Sequence, residues 1–235
     1  MKAEFIRITD IADILPEHPV ISIAGAGGKT TLMFTLASLL PGTVVLTTTT
    51  KVGENQIKTA ETQIPFEKFP PEKYGKRLWV SPSLQSENGK IIGFDLHSFT
   101  HLATICNNKG WAIITETDGA ACKHIKAPAD HEPVIPNECS VCFYVVGLDI
   151  FNKPLCPDIA HRPEIINQLT SLSFGDLISA KDIRVLLDHP LGGLKNVPEN
   201  ALRIAYLTHV NTDHEQRAAQ YIAENLQNYH YVCIS

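Results

Sequence analysis

A glycine-rich loop followed by lysine and threonine is the part of this sequence best suited to chemistry. Directly after the apolar run Val20–Ala24 come Gly25, Ala26, Gly27, Gly28, Lys29, Thr30 and Thr31. Glycines let a backbone turn its N–H groups inward, and a helix that begins at the lysine adds a partial positive charge. We therefore predict a nucleotide phosphate site in which Lys29, facing solvent, reaches the β- and γ-phosphates and the Thr30 hydroxyl ligates Mg²⁺. The loop is shorter than the usual G-x-x-x-x-G-K-[ST], because its first glycine is Gly25.

Two carboxylates at the end of a later strand suit a metal bound beside such a loop. Glu116 and Asp118 follow the apolar run Trp111–Thr115. A magnesium ion on nucleotide phosphates needs an acidic partner at the end of a neighbouring strand, directly or through water. Thr30, Glu116 and Asp118 are therefore the candidate metal ligands. The simpler alternative is a pair of solvated carboxylates at a strand end.

Polar side chains also follow several other predicted strands. Ligands of open α/β sheets bind outside the carboxyl ends of the strands, so we expect these side chains to share one crevice. Lys126 or Arg162 would bind a second, anionic ligand there, and both join Lys29 and Asp118 as candidate catalytic residues. The candidates for the second-ligand site are Thr49, Thr50, Lys51, Lys123, Lys126, His131, Glu132, His161 and Arg162.

A series of short motifs, taken in order, resembles one known family. The motifs are residues 25–31, Thr47–Lys51, Asp118–Ala120, Lys126–Pro128, His131–Pro136, Gly147–Asp149 and His161–Glu164. Over roughly residues 15–220 they resemble the YqeC family, accessory proteins of selenium-dependent molybdenum hydroxylases. The resemblance implies a P-loop protein that helps to mature a selenium-containing molybdenum cofactor. It also implies an apo molybdenum hydroxylase or another maturation protein as partner, and a selenium or pterin-phosphate species as the anionic ligand.

Two functions are compatible with these residues. In the first, the protein is a magnesium-dependent nucleoside triphosphate hydrolase or phosphotransferase. Lys29 and Mg²⁺ then neutralise the β- and γ-phosphates, and Asp118 organises the metal or the attacking group. In the second, it is a nucleotide-gated chaperone that loads a cofactor without turnover of its own. Both predict that a nucleotide binds, and they leave open whether the protein is an enzyme.

The segment after the fifth predicted strand bears on the identity of the nucleotide. Relatives that select guanine carry Asn-Lys-x-Asp there, whereas this chain has Thr208–Asp213, which lacks that motif. ATP is therefore favoured over GTP. The same segment is similar to the T-N-x-x-x-D-H segment of Mur-type ATP-dependent ligases, with His209 at the asparagine position. A Mur-ligase-like core, without the further domains of those enzymes, is thus another alternative.

A mostly parallel sheet with helices on both faces would bring these loops to one edge. Apolar runs alternate with helical patterns, which predicts a P-loop NTPase-like, three-layer αβα sandwich in a single domain over residues 1–235. The predicted strands are Val20–Ala24, Thr43–Leu46, Trp111–Thr115, Val141–Val146, Arg203–Leu207 and Tyr229–Ile234. Helices are predicted near residues 30–40, 99–107, 162–172, 180–187 and 214–227, with Ser179 as an N-cap.

Residues at about 52–95 interrupt this alternation and are predicted to be an insertion. The stretch 52–75 is polar and contains several prolines, which favours an excursion on the surface. Arg77–Ser81 and Lys90–Phe94 flank the turn dipeptide Asn88-Gly89. This spacing predicts a hairpin or a small antiparallel sheet edge.

The composition excludes several classes of partner and compartment. The 235 residues carry 25 acidic and 20 basic side chains, a formal charge of −5, which argues against a nucleic-acid partner. The apolar runs are too short to span a membrane, and charges near the N-terminus argue against a signal peptide. Six cysteines are too few for a secreted disulfide scaffold, so we expect a cytoplasmic protein. Cys139 and Cys142 lack the second pair of a zinc site, which favours buried thiols over metal or redox chemistry.

Overall fold

The computed structural model describes residues 3–235, which form a nine-stranded sheet with two small sheets beside it. The strands are β1 (Glu4–Arg7), β2 (Val20–Gly25), β3 (Val44–Thr48), β4 (Lys51–Gly53), β5 (Thr62–Pro65), β6 (Arg77–Ser81), β7 (Lys90–Ile92), β8 (Ala112–Glu116), β9 (Ile125–Lys126), β10 (Val141–Gly147), β11 (Ala160–His161), β12 (Leu202–Thr208) and β13 (Tyr231–Ile234). The α-helices are α1 (Lys29–Leu39), α2 (Glu54–Ile57), α3 (Leu96–Lys109), α4 (Pro163–Thr170), α5 (Ala180–Asp188) and α6 (Asp213–Asn225).

The large sheet is parallel throughout and places β2 at its centre. Its order is β1-β13-β12-β10-β2-β8-β3-β6-β5. After β2 the chain builds one half of the sheet with β3, β5, β6 and β8, and it then builds the other half from β10 onward. The direction of strand addition therefore reverses beside β2. Ligands of open α/β sheets bind at such a reversal, outside the carboxyl ends of the strands.

Helices cover both faces of this sheet. Alternate residues of a strand point to opposite faces, and every residue of β10 is buried. Phe143 and Val145 pack in the cluster that contains α1, whereas Tyr144 and Val146 pack in the cluster that contains α4, α5 and α6. A third cluster joins α3 to β3, β6 and β8. The fold class predicted from the sequence, a three-layer αβα sandwich around a mostly parallel sheet, is confirmed.

All six predicted strands and all five predicted helices are present. The Ser179 side chain caps α5 as expected, accepting a hydrogen bond from the Asp182 N–H. The two edge strands, β1 and β5, are not predicted from the sequence, because most of their residues are exposed or only partly buried and give no apolar run. Within residues 3–235, every helix is too short or too polar to span a bilayer.

The predicted pairing of Arg77–Ser81 with Lys90–Phe94 is wrong, although a small antiparallel sheet exists. Arg77–Ser81 forms β6 and lies between β3 and β5 in the parallel sheet. Lys90–Ile92 forms β7 and pairs with β4 instead. The Asn88-Gly89 turn is real, with positive φ at both residues. The four residues after Arg77 are apolar or small and are buried, which is typical of an interior strand of a parallel sheet. A hairpin edge would leave alternate residues in solvent.

The excursion predicted over residues 52–75 is only partly on the surface. It contributes α2 and the edge strand β5, whose Ile57 and Ile64 are buried. Pro65 is compatible with β5 because an edge strand needs fewer backbone N–H donors than an interior strand. That residues 1–235 form a single domain with an insertion at about 52–95 stays a prediction.

Candidate functional site

The loop between β2 and α1 has a conformation that requires glycine. Gly27 and Gly28 have φ angles of 90° and 121°, which other residues rarely adopt. A Cβ on Gly27 would lie 2.7 Å from the Gly147 nitrogen, so the loop packs directly on the end of β10. The Ala26 N–H donates to Val145 O of the same strand at 2.8 Å. The loop is therefore fixed against β10 on both of these contacts.

The first turn of α1 offers backbone donors next to this loop. The Leu32 N–H bonds to Gly28 O at 2.9 Å, which is the first i→i−4 bond that a helix beginning at Lys29 can make. The N–H groups of the three helical residues before Leu32 have no acceptor inside the helix. Together with the helix dipole, such groups suit an anion.

A cleft of about 460 Å³ lies along this loop and the first turn of α1. Its volume is in the range of small-molecule sites. Four lysines and one glutamate line it, so the excess of positive charge suits an anionic ligand. These charged residues are Lys29, Lys51, Lys90, Glu116 and Lys123.

Lys29 is buried at this cleft, with only 6 % of its surface exposed. Its amine donates to the Asp118 carboxylate and to Asp118 O, and it lies 3.5 Å from Glu116 Oε1. Burial alone would lower the pKa of Lys29, but the charges of the two carboxylates outweigh burial and raise that pKa above its ordinary value. The expectation that Lys29 faces solvent is therefore wrong. Its charge is held by two carboxylates at the end of β8.

The two carboxylates predicted to bind a metal differ in access. Asp118 is fully buried: Oδ2 accepts from the Gly25 N–H at 3.1 Å and lies 3.0 Å from the Lys126 amine, while Oδ1 accepts from Lys29. The Glu116 side chain is 12 % exposed and lines the cleft. Burial raises the pKa of Glu116 in spite of the nearby lysine charge. Of the pair, Glu116 is the one with access to a ligand.

A chain of alternating charges continues from Asp118 toward the surface. Lys126 is fully buried and donates to Glu132 Oε2 at 2.8 Å, and Arg162 Nη1 donates to the same oxygen at 2.5 Å. Burial would raise the pKa of Glu132, but hydrogen bonds from Arg162 and Lys126 lower it to about 2. We call Lys29, Asp118, Lys126, Glu132 and Arg162 the buried ion-pair chain. Buried charges require such partners, because an unpaired charge in the interior is strongly destabilising.

The residues predicted for a second ligand do not share one crevice. Lys51 and Lys123 line the cleft, whereas Lys126, Glu132 and Arg162 belong to the buried ion-pair chain. His161 lies beside that chain in β11, where burial, followed by the charge of Arg162, lowers its pKa. The structure therefore divides these residues between an open cleft and a buried network.

The threonine run and His131 lie outside both groups. Thr49 donates to Val134 O at 2.6 Å, and the Thr50 N–H donates to Thr48 Oγ1 at 3.0 Å. The first bond ties the end of β3 to the loop that contains Val134, and the second closes a local turn. His131 is exposed in a separate depression that it shares with Val134. Roles for these residues in ligand binding stay predictions.

Sequence reasoning missed several residues that line the cleft. Gln56 and Lys90 come from the insertion, and Gln56 Nε2 donates to Thr30 Oγ1 at 2.9 Å. His124 also lines the cleft. None of the three stands in a recognisable motif, and their positions depend on how β4, β7 and β9 pack. No local signal could have identified them.

The Cys139 and Cys142 thiols are both buried, and the burial of Cys142 agrees with its place in a predicted strand. A hydrogen bond from Cys142 lowers the pKa of Cys139, and the same bond together with burial raises the pKa of Cys142 well above its ordinary value. Cys139 lies just before β10 and Cys142 at its beginning, at the opposite end of that strand from the glycine loop between β2 and α1. They are therefore separate from the candidate site.

Most of this region lies in the part of the chain that matches a known protein family. The family described as "YqeC protein" matches residues 21–164, which include every member of the buried ion-pair chain. A curated relative, "Uncharacterized protein YqeC" of Escherichia coli (strain K12), is 29% identical over 219 residues. That alignment covers 89% of this chain and 83% of the relative. No solved structure matches the chain.

Proposed function

This chain belongs to the YqeC family, and on that premise we propose that it is a nucleotide-binding accessory protein. Its ligands would be ATP and Mg²⁺, bound at the loop between β2 and α1, and its role would be the maturation of a selenium-dependent molybdenum hydroxylase. The nucleotide proposal rests on one observation: Lys29 lies beside two carboxylates in a lysine-lined cleft at the start of α1. The family resemblance supports the role in hydroxylase maturation, and the cleft supports the binding of a nucleotide.

The triphosphate would take over the charge that the carboxylates now supply to Lys29. Phosphate oxygens would accept from the backbone N–H groups at the start of α1 and from the Lys29 amine. Lys51, Lys90 and Lys123 line the same cleft and would offset the remaining negative charge. The triphosphate is the part of the ligand that this charge distribution recognises.

Magnesium would be held by Thr30 and Glu116. Mg²⁺ prefers oxygen ligands and keeps several of its waters, so one hydroxyl and one carboxylate suffice beside a bound phosphate. Both residues line the cleft. Asp118 would instead position the loop, because its Oδ2 accepts from the Gly25 N–H and lies beside the Lys126 amine. The bound metal would supply charge neutralisation at the phosphates.

Two modes of action remain as candidates within this proposal. Hydrolysis or phosphotransfer is supported by the lysine and metal ligands beside the phosphates. A nucleotide-gated chaperone is supported by the buried ion-pair chain, because a phosphate that displaces Asp118 from Lys29 changes the balance of charge along the chain as far as Arg162. In both modes Lys126 and Arg162 act through their ion-pair partners.

Calorimetric titration tests the nucleotide proposal directly. ATP is added to the nucleotide-free protein with and without Mg²⁺, and GTP is then added in competition. We expect magnesium-dependent binding of ATP, and weaker binding of GTP because the segment after β12 lacks Asn-Lys-x-Asp. If neither nucleotide binds, the proposal is wrong.

Phosphate release separates the two modes of action. Release from ATP is followed with the protein alone and with an apo molybdenum hydroxylase added. Turnover by the protein alone supports the hydrolase or phosphotransferase. Nucleotide binding without turnover, together with nucleotide-dependent association with the apo-enzyme, supports the gated chaperone.

A further inference from the structure

Three side chains with metal-binding atoms converge beside the cleft, from three different loops. His124 precedes β9, Asp149 follows β10 and His209 follows β12. One ligand atom from each lies within 4.8 Å of the other two. His124 Nδ1 is 2.7 Å from Asp149 Oδ1, and the two imidazole rings stack with centroids 4.5 Å apart. We call His124, Asp149 and His209 the histidine–aspartate cluster.

Gly147 packs directly against all three residues of this cluster. A Cβ at this position would be 2.9 Å from His124 Cβ and 3.1 Å from both Asp149 Oδ1 and His209 Cδ2. Its φ of −81° and ψ of 123° are allowed for any residue. A side chain is therefore excluded here by the three surrounding residues and not by backbone conformation.

The cluster has the ligand chemistry of a transition metal. Imidazole nitrogens suit zinc, copper, iron and nickel, whereas magnesium and calcium take oxygen ligands. Asp149 Oδ1 and His124 Nδ1 lie 2.7 Å apart, which is close enough for both atoms to ligate the same ion. Two imidazoles with one carboxylate therefore differ in kind from the Thr30 and Glu116 pair.

The surroundings of the cluster leave it accessible to an ion. The side chains of His124 and Asp149 are 35 % and 31 % exposed, and His209 is exposed. Lys153 Nζ lies 3.7 Å from Asp149 Oδ2, but this lysine is itself half exposed. Exposed ion pairs of this kind contribute little free energy, so a metal could displace the lysine easily.

We propose that the histidine–aspartate cluster binds one divalent transition-metal ion of the Zn²⁺, Co²⁺ and Ni²⁺ class. The site lies at the margin of the nucleotide cleft, because His124 belongs to both. It is distinct from the magnesium site in its residues and in its donor atoms. It goes beyond the proposed function and does not depend on nucleotide binding.

Titration with Co²⁺ tests this site without any nucleotide. Visible absorption reports Co²⁺ ligation, and calorimetry gives the affinity, on protein without an affinity tag. All proteins carry His97→Ala and His101→Ala, because these exposed histidines lie one turn apart on α3 with ring centroids 4.8 Å apart and could bind metal as a pair. In this background we expect one equivalent of Co²⁺ to bind.

Two substitutions in the cluster should weaken that binding. We expect His209→Ala and Asp149→Asn each to lower the Co²⁺ affinity by at least about tenfold, since even partners outside the coordination sphere contribute that much. His131→Ala removes an exposed histidine elsewhere and should leave the affinity unchanged. Unaltered unfolding midpoints show that the variants are folded, and two variants in different loops guard against a local defect in either.

Two results would overturn the proposal. One is an unchanged Co²⁺ affinity in both cluster variants. The other is the absence of Co²⁺ binding once His97 and His101 are replaced, which would assign the metal to α3. Because no nucleotide is present, either result leaves the ATP proposal untouched, and a failure of ATP to bind leaves the metal result untouched.

Discussion

Two groups of charged side chains at the same edge of the sheet differ in burial and in ion pairing. In the buried ion-pair chain, the inner charges of Asp118 and Lys126 are fully buried and lie beside opposite charges. Lys51 and Lys90, in contrast, are exposed and line the cleft, and over residues 3–235 neither has an ion-pair partner. The first group holds loops in place, and the second is available to a ligand.

Desolvation explains this difference. Removing a charge from water costs several kcal/mol unless a partner compensates, so a buried lysine is stable only where carboxylates already lie beside it. An exposed lysine carries no such cost and keeps its charge for an incoming anion. Whether a lysine lies in a motif therefore does not show whether it is available to a ligand. Lys126 lies in a family motif but contacts carboxylates, whereas Lys90 lies in no motif and lines the cleft.

The largest effect on stability should come from removing one charge of the buried ion-pair chain. Lys126→Met keeps most of the side-chain volume but leaves Asp118 and Glu132 with one partner fewer. We expect the free energy of unfolding to fall by about 3 kcal/mol, as for other broken buried pairs. Lys90→Ala should change it by less than about 0.5 kcal/mol, as at most surface positions. Urea unfolding measures both, and equal effects would remove the distinction between the two groups.

Lys29 belongs both to the buried ion-pair chain and to the cleft, so its replacement tests both roles. Mg·ATP at about 100 times its Kd should stabilise the wild-type protein by about 2.7 kcal/mol, and Lys29→Ala should abolish that gain. The variant should still fold, because Asp118 keeps Lys126 and the Gly25 N–H as partners. Urea unfolding with and without Mg·ATP measures the gain, with Lys181→Ala on α5 as the exposed control. The same gain in Lys29→Ala would contradict the phosphate-loop assignment.

The pH dependence of stability should report the outer part of the chain. The pKa of Glu132 is lowered from its ordinary value of 4.5 to about 2. A lowered carboxyl pKa contributes stability above the unfolded value, and that contribution is lost as the pH falls from about 4.5 toward 2. Glu132→Gln should therefore be less stable at neutral pH and should show a flatter loss over this range.

Unfolding experiments at several pH values between 2 and 6 measure this slope. Glu67→Gln removes an exposed carboxylate and is the matched control. If Glu132→Gln loses stability with acid as steeply as the wild type, the ionised Glu132 does not hold the chain together.

Magnesium should distinguish Glu116, which lines the cleft, from Asp118, which is fully buried. Glu116→Gln should raise the Mg²⁺ concentration needed for half-maximal ATP binding by about tenfold, because the proposed metal ligand is lost. Asp118→Asn should shift that concentration less and should lower stability more, since Asp118 is fully buried between two lysines. A magnesium titration of ATP binding measures the first effect. The reverse order would give the metal to Asp118.

The smallest effects should come from the exposed lysines of the cleft. Lys51→Ala and Lys90→Ala should each weaken ATP binding by only a few-fold, about 1 kcal/mol or less, as for other exposed charges. The effects should shrink between about 0.05 M and about 0.5 M salt, because solvent-exposed charges are screened. Calorimetry at both salt concentrations measures this, with Lys181→Ala as control. Losses that do not depend on salt would mean that these lysines act by shape and not by charge.

The sequence by itself determined the local units of this protein. The strand, glycine loop and helix over residues 20–40 follow directly from contiguous residues: an apolar run, glycines that alone tolerate the positive φ, and a helix that begins at Lys29. The same holds for β8, β10 and β12, whose buried residues read as continuous apolar runs. Family membership also follows from ordered local motifs.

Only the tertiary structure decided which of these units meet. Local pattern reports how buried a strand is but not its partner, so β6 joined the parallel sheet and β7 paired with β4. For the same reason the sequence could mark Lys126 as a charged residue but could not show that Asp118 and Glu132 lie beside it. The use of a charge depends on its solvation and its partners, and both are set by residues far away along the chain.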